Sequence, residues 1–353
     1  MLLPALYAAY LRFDAKIQEY LLNLQTMALK VTTYVSGSKV PILPGSSTFH
    51  STALFHIYEA TPAYAPILIT LSQDGKVIAK LLAVIRKSTR LFPPSLIKRC
   101  EVYGTGEYFD DTFDKEALFR IMLQRLTQEA LQHCFLIEFR NLAHNMEYYK
   151  VFSSNDYFPI NWLRVRHSLH HTSPLEERFS TSRIRQIKKG LSNGAEVREA
   201  QTWEDVEQFA KMLHKVYSLK VRRHFPSIDF FHQLMKHLMN KHLCKIFIVT
   251  YKGKIIGGSS CIYSERTAYL WFSGGMRKTY LRQYPGILAV WKALNDAKQQ
   301  GYEHMEFMDV GLPFKKHGYR EFVLRFGGKQ LSTRRWFRFR WAWLNKLLSS
   351  FYK

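Results

Sequence analysis

Apolar residues fall along this chain in short blocks, and the blocks come in the same order twice. In the first half, ILIT (67–70) and KVIAKLLAVI (76–85) flank Asp74-Gly75, a hairpin signal. A further pair of short strands is expected within 96–103. Leu118, Ile121, Met122 and Leu126 then recur at helical spacing, and FLIEFRN (135–141) reads as a buried strand. In the second half KIFIVTY (245–251), a turn at Lys252-Gly253 and KIIGGSSCIY (254–263) restate the hairpin. TAYLWFS (267–273), a helix from Gly286 to about Gln300 and HMEFMDV (304–310) complete the unit, with HMEFMD answering LIEFRN. The repeated order predicts two duplicated α/β units, an α+β arrangement built on mixed sheet. The divisions expected are an N-terminal helical segment over 1–35, a first domain over 36–175 and a second over 176–353. The loop SGSKVPILPGSS (36–47) sets off the first segment, and residues 1–33 read as helical. The apolar start 1–11 contains Pro4, stops at Arg12 and lacks a basic leader, so neither a signal peptide nor a membrane span is expected there.

The linker between the halves is basic. Residues 178–189 hold five cations and no acid, with Ile184, Ile187 and Leu191 on one helical face. Arg183, Arg185, Lys188 and Lys189 are the candidate phosphate ligands on this helix. Along the strand 267–273, alternation sets Tyr269, Trp271 and Ser273 on one face and Leu270 and Phe272 on the other. The segment that follows places Arg277, Lys278 and Arg282 just before Tyr284 and Gly286, which opens a helix. A helix start offers free N–H groups and partial positive charge, which suits a phosphate or a carboxylate.

Charge sharpens the question of partners. The chain has 353 residues, with 51 Lys+Arg against 28 Asp+Glu and a net charge of +23, so an anionic partner is expected. The composition, 47% hydrophobic and 22% charged, excludes disordered and collagen-like classes. Cys100, Cys134, Cys244 and Cys261 are scattered without zinc-like spacing, which points to a reducing, cytoplasmic setting. No metal is expected either. His167, His170 and His171 have no carboxylate at ligand spacing, and His232, His237 and His242 fan around a helix axis. The stretch 334–353 interleaves six cations with seven aromatics and no acid, which predicts a closing strand and then a short helix in peripheral contact with the inner membrane surface.

The motifs SRIRQIKKGLSNGAEVREAQTWEDVEQFAKML (182–213), FIVTYKGKIIGGSSCIY, AYLWFSGG, YPGILAVWKALNDAKQQGYEHMEFMDVG (284–311) and RFGGKQ (325–330) resemble the Gcn5-related N-acetyltransferase (GNAT) superfamily. Within it they resemble the tandem-domain branch that includes the Fem-type aminoacyltransferases. The resemblance covers about half the chain closely, and the first half is similar to the more divergent amino-terminal unit. It implies two tandem GNAT-like domains and an N-acyltransferase, moving an acetyl, other acyl or aminoacyl group to an amine of an anionic acceptor. That acceptor would be a small molecule or a lipid-linked envelope precursor. The implied donor is acyl-CoA or aminoacyl-tRNA, with tRNA as a partner in the second case. Members of the branch commonly carry a lysine before the FGG turn, where Val323 stands here.

Amine attack on a thioester or ester needs a neutral amine, so a carboxylate is the natural proton acceptor. The resemblance places Asp309 at the splayed centre of the second sheet, with Glu306 on the opposite strand face. Asp309 is the first candidate; Glu107, with Asp110, is held in reserve. A non-catalytic GNAT-fold protein docking RNA or membrane through its basic surface is the alternative.

Overall fold

The computed structural model describes residues 29–86, 98–142, 146–217 and 225–352. Most of the helix expected over 1–33, and the apolar start with it, lies outside these residues. The end of that segment is a strand instead: Lys30–Tyr34 (β1) pairs antiparallel with residues 68–72. Val31, Thr32 and Thr33 are β-branched and favour the extended backbone.

After β1 comes α1 (Thr52–Glu59), capped by Ser51, whose Oγ accepts the Leu54 N–H. The first hairpin, β2 (Tyr64–Gln73) and β3 (Lys76–Arg86), turns on Asp74 and Gly75, both at positive φ as a two-residue hairpin turn requires. Among the described residues one strand forms where a pair was expected, β4 (Arg99–Tyr103). The stretch 96–103 offers no turn residue on which to fold back. Then follow β5 (Glu107–Tyr108), α2 (Lys115–His133), β6 (Leu136–Arg140), α3 (Tyr149–Ser154) and β7 (Phe158–Ser168). In the second half, α4 (Thr181–Ser192), β8 (Glu196–Glu199), α5 (Trp203–Val216) and α6 (Ile228–His237) precede the hairpin of β9 (Cys244–Tyr251) and β10 (Lys254–Ser264). After it come β11 (Thr267–Gly275), α7 (Pro285–Gln299), β12 (His304–Phe307), α8 (Gly318–Leu324), β13 (Lys329–Phe339) and α9 (Ala342–Tyr352). The closing strand and helix expected from the sequence are therefore both present.

All 13 strands of the described residues join one mixed sheet, ordered β1-β2-β3-β4-β6-β13-β7-β12-β11-β10-β9-β8, with β5 on β3. Each half contributes one parallel pair, β4 with β6 and β11 with β12. The last strand of each half crosses over: β13 lies between β6 and β7, and β7 lies between β13 and β12. A cut at 175/176 divides the chain but not the sheet.

Alternation along the strands separates three apolar clusters. One face of the first-half strands packs α2 and α3 through Phe119, Leu123 and Phe152. The same face of the second-half strands packs α4, α7 and α8 through Ile187, Leu288 and Val323. On the opposite face α1, α5 and α6 share a single cluster that joins the halves, with Phe55 and Tyr58 meeting Phe209 and Phe230. These three helices rest on the hairpin strands of each half. On that side the central strands β4, β6, β13, β7 and β12 carry polar residues, and they form the floor of a groove between the halves. Among the described residues no helix is long and apolar enough to cross a membrane.

Candidate active site

The duplicated units offer an internal comparison. In the first parallel pair Glu101 stands beside Glu138; in the second, at the corresponding register, Tyr269 stands beside Glu306. All four face the groove. Glu101 is held by Arg99 at 2.6 Å and Arg86 at 3.1 Å, and Glu138 by Arg335 at 2.9 Å, Arg140 at 3.0 Å and Arg99 at 3.3 Å. Burial would raise both carboxyl pKa values, but the arginines outweigh it and hold both below the usual carboxylate range. These two groups are locked as ions.

Glu306 behaves oppositely. It is 1% exposed, Arg166 Nε donates to its Oε1, and Arg164 stands 3.7 Å from the same oxygen. Its Oε2 is buried with no hydrogen-bond partner. Here burial prevails over the two arginines and raises the carboxyl above its ordinary value. Glu306 lines a narrow pocket with Tyr269, Trp162, Arg164, Met308 and Thr333. Burial, aided by Glu306, keeps the Tyr269 phenol well above its ordinary pKa, so it is a neutral hydroxyl. A raised carboxylate with a free oxygen beside a neutral phenol supplies a proton acceptor and a proton donor in one pocket.

The pocket opens where two strands part. β11 and β12 pair from Thr267↔His304 to Leu270↔Phe307; β11 then continues paired with β10 only, while the chain after β12 turns to β7, where the Leu163 N–H donates to Gly311 O at 3.0 Å. Tyr319 of α8 spans the gap, its hydroxyl 3.4 Å from Ser273 Oγ. At the far end Gly275 meets the start of α7: a Cβ on it would lie 2.4 Å from Gly286 N. Gly275→Ala must therefore push α7 off β11. We expect a drop in melting temperature and a loss of activity in that variant, read by thermal unfolding and by turnover.

The structure distributes the sequence candidates over two places. Asp309 is 61% exposed at the groove, and Arg335 lies 3.2 Å from Oδ1. Partial burial would raise its pKa, but Arg335 and Arg140 hold it below the usual range, so Asp309 stands as an ion-paired carboxylate. Glu107 is consumed elsewhere, paired to buried Lys80 at 3.1 Å and accepting the N–H groups of Ser46 and Ser47. Asp110 accepts from Thr112 within its own turn. Among the carboxylates that face the groove, Glu306 differs from Asp309 in its burial, its unpartnered Oε2 and its raised pKa, a burial that sequence does not display.

Arg183 is also spent inside the fold. Its guanidinium lies over the rings of Phe322 and Phe326 and donates to Phe322 O at 2.8 Å; burial, with Arg325 nearby, lowers its pKa to about 10. Arg185, Lys188 and Lys189 are exposed along a shallow, open groove on α4. Gly190 of that helix faces Gln283 O, and Asn193 Nδ2 donates to Arg282 O at 2.8 Å, so α4 sits against the loop before α7. Arg277, Lys278 and Arg282 are exposed on this loop, and Tyr284 caps α7 at φ 47°. The exposed cations thus gather at the α7 start, while Tyr269 and Glu306 lie across the sheet. These are two places, connected by the stretch of β11 between Tyr269 and Gly275. Trp271 has no partner in β10, where the register shifts; the bulge resets the alternation and lets Phe272 stack on Trp271 at 5.2 Å instead of facing the other way. Trp271 packs on Phe49 and Phe230 and closes the groove from the helical side.

Residues 181–316 match the family model of the acetyltransferase (GNAT) domain. Among solved structures the chain is similar to FemX, at 11% identity over 91% of this chain and 99% of that one, with a TM-score of 0.60. It is also similar to a tandem GNAT protein from the clavulanic acid biosynthesis pathway, at 9% identity over 89% and 99% of the two chains, with a TM-score of 0.54. The fold is that of a tandem-GNAT protein. A comparison with curated proteins finds no match. Within the tandem-GNAT frame, the matched segment contains β11, α7 and β12 and supplies Tyr269, Glu306 and Met308 to the pocket, while the rest of its lining comes from β6 and the residues just after it, β7 and β13, outside that segment. Val323, where the branch commonly has lysine, is fully buried in the cluster of α4, α7 and α8. A lysine there would bury a charge among apolar side chains.

Proposed function

We propose that this tandem-GNAT protein is an N-acyltransferase whose chemistry takes place at Glu306. The observation that carries the reading is the buried carboxylate with a raised pKa and an unpartnered oxygen, placed where β11 and β12 part. The acceptor amine gives its proton to Glu306 Oε2 and attacks the acyl carbonyl carbon. The tetrahedral intermediate collapses with loss of the donor's sulfur or oxygen, which takes a proton from Tyr269 as that phenol regains one from Glu306, so both groups return to their starting states. The donor lies along β11, its acyl end at Tyr269 and its phosphates near Arg277, Arg282 and the exposed cations of α4. Six residues of strand separate Tyr269 from Gly275, about 20 Å at strand rise, which suits an extended acyl-carrying arm. Acyl-CoA and aminoacyl-tRNA both end in such an arrangement of phosphate and acyl ester or thioester. Arg140, Arg164 and Arg335 beside the pocket favour an acceptor that carries a carboxylate or phosphate.

A donor screen tests the reading: the protein is incubated with acetyl-CoA, longer acyl-CoA or charged tRNA and an amine-bearing anionic acceptor, and product is read by mass spectrometry. Transfer from one donor class, lost in a Glu306 variant that still folds, is the expected result. Arg282→Ala should raise the apparent donor constant about tenfold, the value of one charge-assisted contact, without moving the melting temperature. Unchanged donor affinity would remove Arg282 from the site.

A further inference from the structure

Among the described residues, the last helix carries an apolar face that no other element covers. α9 is fixed to the end of β13 by Asn345, which is 3% exposed, donates to Phe339 O at 2.8 Å and accepts the Phe339 N–H at 2.7 Å. Trp343, Leu347 and Phe351 recur every fourth residue, so they share one side of the helix, and they are 62%, 48% and 73% exposed. Trp341, also half open, stacks on Trp343 at 6.1 Å. Exposed Arg340 and Lys346 flank the stripe, and residues 322–353 contain eight cations and no acid.

We propose that this face of α9 docks on an anionic phospholipid bilayer, with Trp343, Leu347 and Phe351 entering the headgroup boundary and Arg340 and Lys346 meeting lipid phosphates. Aromatic rings are stable at headgroup depth, and each cation near an anionic surface adds attraction that salt weakens. Charge also decides against the obvious competitor. α9 itself carries no acid and, with Arg340, is cationic, so a second copy would set like charge against like, whereas an anionic bilayer neutralises it. Because α9 is hydrogen-bonded to β13 rather than tethered by a loose tail, docking would orient the whole sheet. Arg335 at the groove lies four residues along β13 from Phe339, about 13 Å at strand rise. The groove would then stand within reach of a headgroup-sized acceptor.

The test uses the full chain and sedimentation with vesicles of phosphatidylcholine containing phosphatidylglycerol, against phosphatidylcholine alone, over a salt series. Binding to the anionic vesicles that falls with salt is expected. The double variant Trp343→Ser/Leu347→Ser should lose about a hundredfold in partitioning, roughly tenfold for each apolar side chain that no longer inserts. Its melting temperature should hold, because both side chains are exposed. Arg340→Glu/Lys346→Glu should weaken binding to the anionic vesicles while leaving any residual binding to phosphatidylcholine unchanged. Equal sedimentation of the Ser variant and the parent overturns the proposal. So does absence of vesicle binding by the parent, whether light scattering reports a monomer or reports a dimer that the Ser variant dissolves; the dimer would make a second copy the occupant.

Discussion

Glu306→Gln should lower the rate of acyl transfer by about 10²–10⁴-fold, the usual contribution of a general base, while the protein keeps its fold. The retained stability follows from the direction of the pKa shift. Burial raises the folded-state value of Glu306 above the unfolded value of about 4.3. A group shifted upward contributes stability that is fully present below the unfolded pKa and is lost as pH rises through the folded one. At neutral pH the ionised carboxylate is therefore a net cost, and a neutral glutamine of the same shape removes it. The melting temperature of the variant should match or exceed that of the parent at neutral pH, with the difference closing in acid. The pH profile gives an independent reading. The parent's rate should rise with pH through the raised pKa of Glu306, and the residual rate of the variant should lack that limb. Equal turnover would exclude Glu306; a collapse of stability at neutral pH would show that Arg164 and Arg166 need its charge more than burial opposes it.

Much of this arrangement was legible in the order of apolar blocks. The two hairpins with their DGK and KGK turns, the helices at 115–133 and 285–299, and the strand-then-helix ending all follow from period and turn chemistry acting locally. What failed to show was non-local. β7 carries Trp162, Arg164, Arg166 and His167, which look like surface residues until β12 and β13 enclose them. The crossing of β7 and β13 leaves no mark on either strand, since any strand with one polar and one apolar face could occupy either position. The choice between Asp309 and Glu306 turned on the same enclosure. Both are strand-end carboxylates near arginines, and only the folded sheet gives one a counterion at the open groove and the other a buried, unpartnered oxygen.

The duplicated carboxylates make the second large prediction the mirror of the first. Glu138 occupies in β6 the register that Glu306 occupies in β12, yet Arg99, Arg140 and Arg335 all converge on it, and Arg335 also reaches Asp309. Removing one partner from a buried ion cluster leaves the remaining charges uncompensated and typically costs about 3–5 kcal/mol. Glu138→Gln should therefore lower the melting temperature by something on the order of 10 °C. Its acid response should differ from that of Glu306→Gln as well. Although burial alone would raise them, the arginines hold the folded values of Glu138 and Glu101 below the unfolded one. The stability they contribute is present above the unfolded pKa and is lost as pH falls through the folded values. The parent should accordingly lose stability steeply in acid, and the Glu138→Gln variant should start lower at neutral pH and fall less. Turnover measured well below its melting temperature should stay within a few-fold of the parent, because the reacting oxygen belongs to the other half. A melting temperature unchanged by Glu138→Gln would mean that the arginines find other anions, and the ladder across β4, β6 and β13 would not be what joins the two units.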